Sequence, residues 1–123
     1  MNLPLKGIKV LDLSRLAAGN MVSHMLADYG ADVIKIEKPG KGDDLRIIGP
    51  KLLETSLWAA VLNRGKKSVS LNLKTKIGKE ILLKLIQEAD VLVENFRPGV
   101  MEKLKLGWKT IKKANNNIEK THL

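Results

Sequence analysis

Asn95-Phe96-Arg97-Pro98-Gly99 places an amide that donates and accepts, a flat aromatic face and a guanidinium within five residues. Pro98 suits the first turn of a helix, and a helix start offers free N–H groups to an anion, with Lys103 one turn further on. A stable strand–helix turn without a ligand uses the same residue types, so the pattern alone leaves both open. Glu37 ends an apolar run, where dinucleotide enzymes keep a ribose-binding acid. The turn over residues 14–20 has one glycine, Gly19, in place of G-x-G-x-x-G, which argues against NAD. No G-x-x-x-x-G-K-[ST] occurs, and neither Ser14 nor Ser23 sits in G-x-S-x-G. His24, beside the face set by Met21, Met25 and Tyr29, reads as structural rather than as a catalytic base. Trp58 and Trp108 read as core anchors. The chain has no cysteine and two histidines, which excludes a disulfide scaffold and a thiolate site and argues against a multi-histidine metal site; no metal is expected.

Positioning these groups falls to alternating strands and helices. Residues 8–13 read as a first strand. Asn20 caps a helix whose apolar face is Met21, Val22, Met25, Leu26 and Tyr29, and Gly30 ends it. Residues 33–36 form a second strand, completing a βαβ unit. Breakers follow at Pro39, Gly40, Gly42 and Gly49-Pro50. Residues 54–63 form a short helix with Leu57, Trp58 and Val61 on one side. Residues 68–73 are a third strand, Ile77, Ile81, Leu82, Leu85 and Ile86 mark an amphipathic helix, and residues 90–94 are a fourth strand. The right-handed crossover rule makes this part of a doubly wound α/β sheet, with ligands outside the strands' carboxyl ends. The polar end, residues 115–123, carries no strand signal and is expected to be disordered or aberrant.

The chain has 123 residues, 44% hydrophobic and 28% charged, a globular balance for one small domain. No apolar run reaches the ~20 residues of a membrane span, and no secretory signal is readable. Net charge is +9, rising from +1 over residues 1–63 to +5 over residues 97–123. A polyanion, either nucleic acid or a polyphosphorylated small molecule, fits that excess; so do solvating lysines, which are 18 of the 22 basic residues. The basic end lacks interleaved aromatics, so nucleic acid is not the expected partner.

Several blocks in register resemble the N-terminus of the class III CoA-transferases, the family of formyl-CoA, carnitine-CoA and succinyl-CoA-dependent transferases and α-methylacyl-CoA racemases. They are GIKVLDLSR (7–15), AG (18–19), LADYGADVIKIE (26–37), KPGKGDDLR (38–46), NRGKKSVSLNLK (63–74) and ADVLVENFRPG (89–99). The resemblance implies a Rossmann-like parallel sheet with flanking helices, of which residues 1–114 are the incomplete N-terminal, CoA-binding part. It implies an interlinked homodimer and acyl-CoA and carboxylic acid substrates. Residues matching the CoA-contacting segments are Ala17, Ala18, Lys38, Leu71, Asn72, Leu73, Lys74, Asn95, Phe96, Arg97 and Lys103; coenzyme A carries phosphates that suit the lysines.

Departures narrow the reading. Asn20 stands where the family has proline. Ala17 stands where the formyl-CoA branch has glutamine, which argues against formyl-CoA. Lys38 and Lys103 replace arginines of that branch, keeping charge but losing the fork. The retained segment 43–63 favours a transferase over a racemase, and its glycine pattern is similar to the succinyl-CoA-dependent branch. The family's catalytic aspartate, which forms an acyl anhydride and then an aspartyl-CoA thioester, lies beyond residue 123, so the chain is expected to be a fragment inactive alone. A cytoplasmic or mitochondrial location is expected. Thr121-His122-Leu123 is a loose relative of the peroxisomal S-K-L ending and reads as chance.

Overall fold

Apolar runs too short for helices alternate with amphipathic stretches, and the chain follows that alternation. The structure is a computed structural model describing residues 2–123. In chain order it has β1 (Lys9–Asp12), α1 (Leu16–Asp28), β2 (Asp32–Glu37), a 3-10 turn (Asp44–Arg46), β3 (Lys51–Leu52), β4 (Thr55–Ser56) and α2 (Leu57–Leu62). Then come β5 (Lys66–Ser70), α3 (Lys76–Gln87), β6 (Val91–Glu94), α4 (Val100–Lys103), α5 (Trp108–Ala114) and β7 (Glu119–His122). Five strands form one parallel sheet in the order β5-β2-β1-β6-β7; β3 and β4 make a separate antiparallel hairpin. Val10 pairs with Val33, Leu11 with Leu92 and Ile36 with Val69.

Both sheet faces are covered, as a parallel sheet requires. Leu11, Leu82, Ile86, Leu92, Leu106 and Ile111 pack on the α3–α5 side. Val10, Val33 and Val93 pack against Val22 and Leu26 of α1. All these strands run the same way, so the loops following β1, β2, β5 and β6 gather at one edge.

Three expectations are corrected. First, α1 starts at Leu16, not after Asn20; Arg15 is the N-cap, and Asn20 is buried inside the helix because Asp43 captures its amide. Second, the apolar faces of α1 and α2 are only partly inward. Val22 and Leu26 reach the core, whereas Met21, Met25 and Tyr29, with Leu57, Trp58 and Val61, are exposed. The buried positions of α1 are instead small or polar, Gly19, Asn20, Ser23 and His24. Trp58 is 46% exposed and not a core anchor, while Trp108 packs, partly buried, against the main core.

Third, the polar end is ordered into β7, which pairs in parallel with β6 through Val93 and Thr121. The fully buried Ile118 anchors it, the Glu119 amide donates to the Asp90 carbonyl, and Lys120 and His122 both reach the Glu94 carboxylate. Asn115 closes the preceding turn by donating its amide to the carbonyls of Ile86 and Ala89.

Candidate functional site

Buried charge shapes the strand tips. Asp12, at the end of β1, accepts from the Ser14 amide at 2.8 Å and from the hydroxyls of Ser14 and Ser23. Two buried ammonium groups face it, Lys66 at 3.2 Å and Lys35 at 3.6 Å. Lys35 also donates to the Ser14 carbonyl at 2.8 Å and pairs with Asp43 at 3.1 Å. Asp43 in turn accepts from the Leu16 and Leu45 amides and from Asn20. Two cations and two carboxylates thus compensate one another out of water, and their bonds tie the loops after β1 and β2 to β5. Burial would raise the Asp43 pKa, but Lys35 and these hydrogen bonds outweigh it and hold the carboxyl below its ordinary value. Burial lowers Lys66, with Asp12 opposing.

Glu37 is committed to the same scaffold. Arg46 grips it with a two-toothed pair, both contacts 2.7 Å, and Ser68 and the Asp43 amide donate to it as well. These bonds, Arg46 first, lower its pKa from 4.5 to about 2 despite burial. A ribose would have to displace Arg46, so the geometry gives no support to a dinucleotide role for this acid.

The remaining walls come from the loops after β5 and β6. Asn72 accepts from the Lys74 amide, and Thr75 donates to the Asn72 carbonyl while capping α3 at Gly78. Asn95 locks its amide onto the main chain of Arg15, accepting from its N–H and donating to its carbonyl, both at 2.8 Å. The Arg15 guanidinium lies 5.5 Å from the Phe96 ring centre.

Between these loops lies a cavity of about 920 Å³. Its walls are residues 13–16, 36–39, 42–44, 71–74 and 95–97, with Val100 and Leu104. Of the expected site residues, Lys38, Leu71, Asn72, Leu73, Lys74, Asn95, Phe96 and Arg97 come together here. Ala17 and Ala18, exposed on the first turn of α1, and Lys103, exposed on α4, are outside the lining. Lys38 is bound to Asp44 at 2.7 Å. Arg15, Lys74 and Arg97 form no ion pair among the described residues, so three loops each present an uncompensated cation. Cations on three loops of one cavity suit a ligand that carries more than one anionic group.

Sequence reasoning missed Arg15 as a wall residue and the whole buried network. The signal was present: Asp12 and Lys35 interrupt runs otherwise built of leucine, isoleucine and valine, and a charge in a central strand demands a buried partner. His24 is buried, with Nε2 3.4 Å from Asp28, and is not among the residues lining the cavity. Among the described residues no cluster of three or more potential metal ligands occurs, and no helix is long and apolar enough to cross a membrane.

The sequence profile of CoA-transferase family III matches residues 5–118. A formyl-CoA:oxalate CoA-transferase of Escherichia coli is 48% identical, over 96% of this chain and 29% of the relative. An acyl-CoA transferase of Fusarium pseudograminearum is 46% identical, over 93% of this chain and 27% of its own length. Among solved structures, a CAIB/BAIF family protein of Brucella suis superposes with a TM-score of 0.91 at 38% identity, covering 99% of this chain and 33% of that one. A hypothetical protein of Mycobacterium tuberculosis gives 0.89 at 42%, covering 98% and 33%. The chain therefore spans about 30% of the length of the relatives it matches.

Proposed function

The chain belongs to CoA-transferase family III, and on that premise we propose that it forms the coenzyme A-binding portion of a transferase that moves CoA from an acyl-CoA to a carboxylic acid. The observation that carries this reading is the cavity at the strand tips with unpaired Arg15, Lys74 and Arg97 on three separate loops. Coenzyme A presents a diphosphate, a 3′-phosphate, a flat adenine and a long apolar-to-polar arm. Cations answer the phosphates, Phe96 offers a face for stacking, and Leu13, Ile36 and Leu73 line the apolar part of the cavity. Residues 1–114 supply this portion, as the resemblance implies, and β7 extends its sheet.

The reaction proposed for the complete enzyme is the family's. An aspartate attacks the thioester carbonyl, the C–S bond breaks, and CoA leaves as thiolate. The thiolate then attacks the aspartyl carbonyl of the anhydride, releasing the first acid and leaving an aspartyl-CoA thioester. The incoming carboxylate repeats both steps in reverse. No aspartate of the 123 residues matches that nucleophile; Asp12 and Asp43 are consumed by Lys35 and Lys66. This polypeptide alone binds CoA without transferring it. Succinyl-CoA is the proposed donor, supported by the Gly42-Asp43-Asp44 and Gly49-Pro50 pattern, while the retained segment 43–63 supports a transferase over a racemase; Ala17 in place of glutamine weighs against formyl-CoA.

The interlinked homodimer belongs to the same proposal. Its support is the exposed face of Met21, Met25, Tyr29, Trp58 and Val61, which suits burial against further polypeptide. A cytoplasmic or mitochondrial compartment, with a peroxisomal one as the alternative, belongs to the same proposal.

The test is an amide chemical-shift titration of the chain with CoA, alongside an assay with succinyl-CoA and a panel of acids. Shifts concentrated at residues 14–16, 71–74 and 95–97 without turnover are expected. Shifts confined to the outer face of α1 and α2 would refute the site, and turnover would refute the missing nucleophile.

A further inference from the structure

We infer that Arg15 is an anion-reading residue of this cavity, held in position by Asn95, and that it contacts an oxoanion of the bound thioester, either a phosphate or an acyl carboxylate. The inference rests on the coenzyme A reading above. Of the four arginines, Arg46 is occupied by Glu37 and Arg64 by Asp28, which leaves Arg15 and Arg97, and only Arg15 has its main chain clamped by a side chain of another loop. Arg15 has no carboxylate partner among the described residues, is exposed, and lines the cavity.

Its placement is built rather than incidental. The Asn95 side chain both accepts from and donates to the main chain of Arg15, at 2.8 Å each, across 80 residues of sequence. These two bonds fix the orientation of the Asn95 amide, so it acts on Arg15 as a positioning residue. The neighbouring Phe96 ring then lies 5.5 Å from the guanidinium carbon. A guanidinium beside an aromatic ring is restrained in orientation while its N–H edge stays available to a planar or tetrahedral oxoanion. The loops after β1 and β6 thus act together: one carries the charge, the other sets where it points.

Calorimetry on the 123-residue chain tests this with CoA, acetyl-CoA and succinyl-CoA as ligands. Arg15→Met retains apolar contact with Phe96 and loses the charge; Arg15→Lys retains charge and loses the fork. Because Arg15 is exposed, neither variant removes core packing. About a tenfold or greater loss for Arg15→Met is expected with at least one ligand. An equal loss with all three assigns a phosphate, whereas a loss confined to succinyl-CoA assigns the acyl carboxylate. Arg15→Lys recovers part of the affinity. Asn95→Ala reproduces the ligand pattern of Arg15→Met, and the double variant is no weaker than Arg15→Met alone. Binding of all three ligands by Arg15→Met within twofold of the original overturns the inference while leaving the coenzyme A site standing. Additive losses from Asn95 and Arg15 overturn the positioning role. Failure of the unsubstituted chain to bind any of the three overturns the coenzyme A reading itself, and the inference with it.

Discussion

An acid at the end of the second strand of a doubly wound sheet is placed to hold a ribose, yet Glu37 does other work because Arg46, Ser68 and the Asp43 amide reach it first. Its pKa near 2, against an ordinary 4.5, makes this a statement about stability. A depressed carboxyl contributes stability that is complete above its ordinary pKa and is lost as pH falls through the folded value. Glu37→Gln is therefore expected to cost up to about 3 kcal/mol at neutral pH. The gap to the parent protein should close as pH falls from about 4.5 toward 2. Urea unfolding across that pH range measures it; a pH-independent gap would assign the cost to packing instead. Lys74 and Arg97, expected from the resemblance, do stand in the cavity wall, whereas contacts whose partner comes from a distant loop were not legible. Nothing near Asn95 announces that its amide is taken by Arg15, and nothing near Asn20 announces Asp43.

At the scale of elements, the strands were readable because buried parallel strands are short apolar runs, and their edges missed by only a few residues. The faces of α1 were not, because burial there follows polar partners: Asn20 and Ser23 point inward to Asp43 and Asp12, displacing Met21 and Met25 outward. β7 was missed since an edge strand buries little and only Ile118 reports it. Ile118→Ala should destabilise the chain by roughly 2–5 kcal/mol, read from thermal or denaturant unfolding. A change near zero would return residues 115–123 to the disordered reading. The β5–α3 turn makes a second demand. A Cβ at Gly78 would sit 2.1 Å from the Asn72 carbonyl oxygen, which is main chain and cannot swing away. Gly78→Ala should cost about 1–3 kcal/mol and weaken CoA binding, because Asn72 and Lys74 shift with that turn. A stable variant with unaltered affinity would show that the turn does not position the site.

For the whole molecule, the sheet order β5-β2-β1-β6-β7 is what makes distant residues into one site. Lys74, Arg15 and Arg97 are separated by up to 82 positions in the chain, and parallel pairing delivers all three to one edge. The net charge of +9 says little about this by itself, since most lysines solvate the surface. The three cations at the cavity are the part that matters, because no carboxylate answers them. The most direct measurement is calorimetry of CoA binding by the chain and by the Lys74→Met/Arg97→Met double variant, repeated at rising salt. The account predicts saturable one-to-one binding that weakens as salt rises and falls at least tenfold in the double variant. Absence of binding at millimolar CoA, or affinity untouched by the two substitutions, would contradict it.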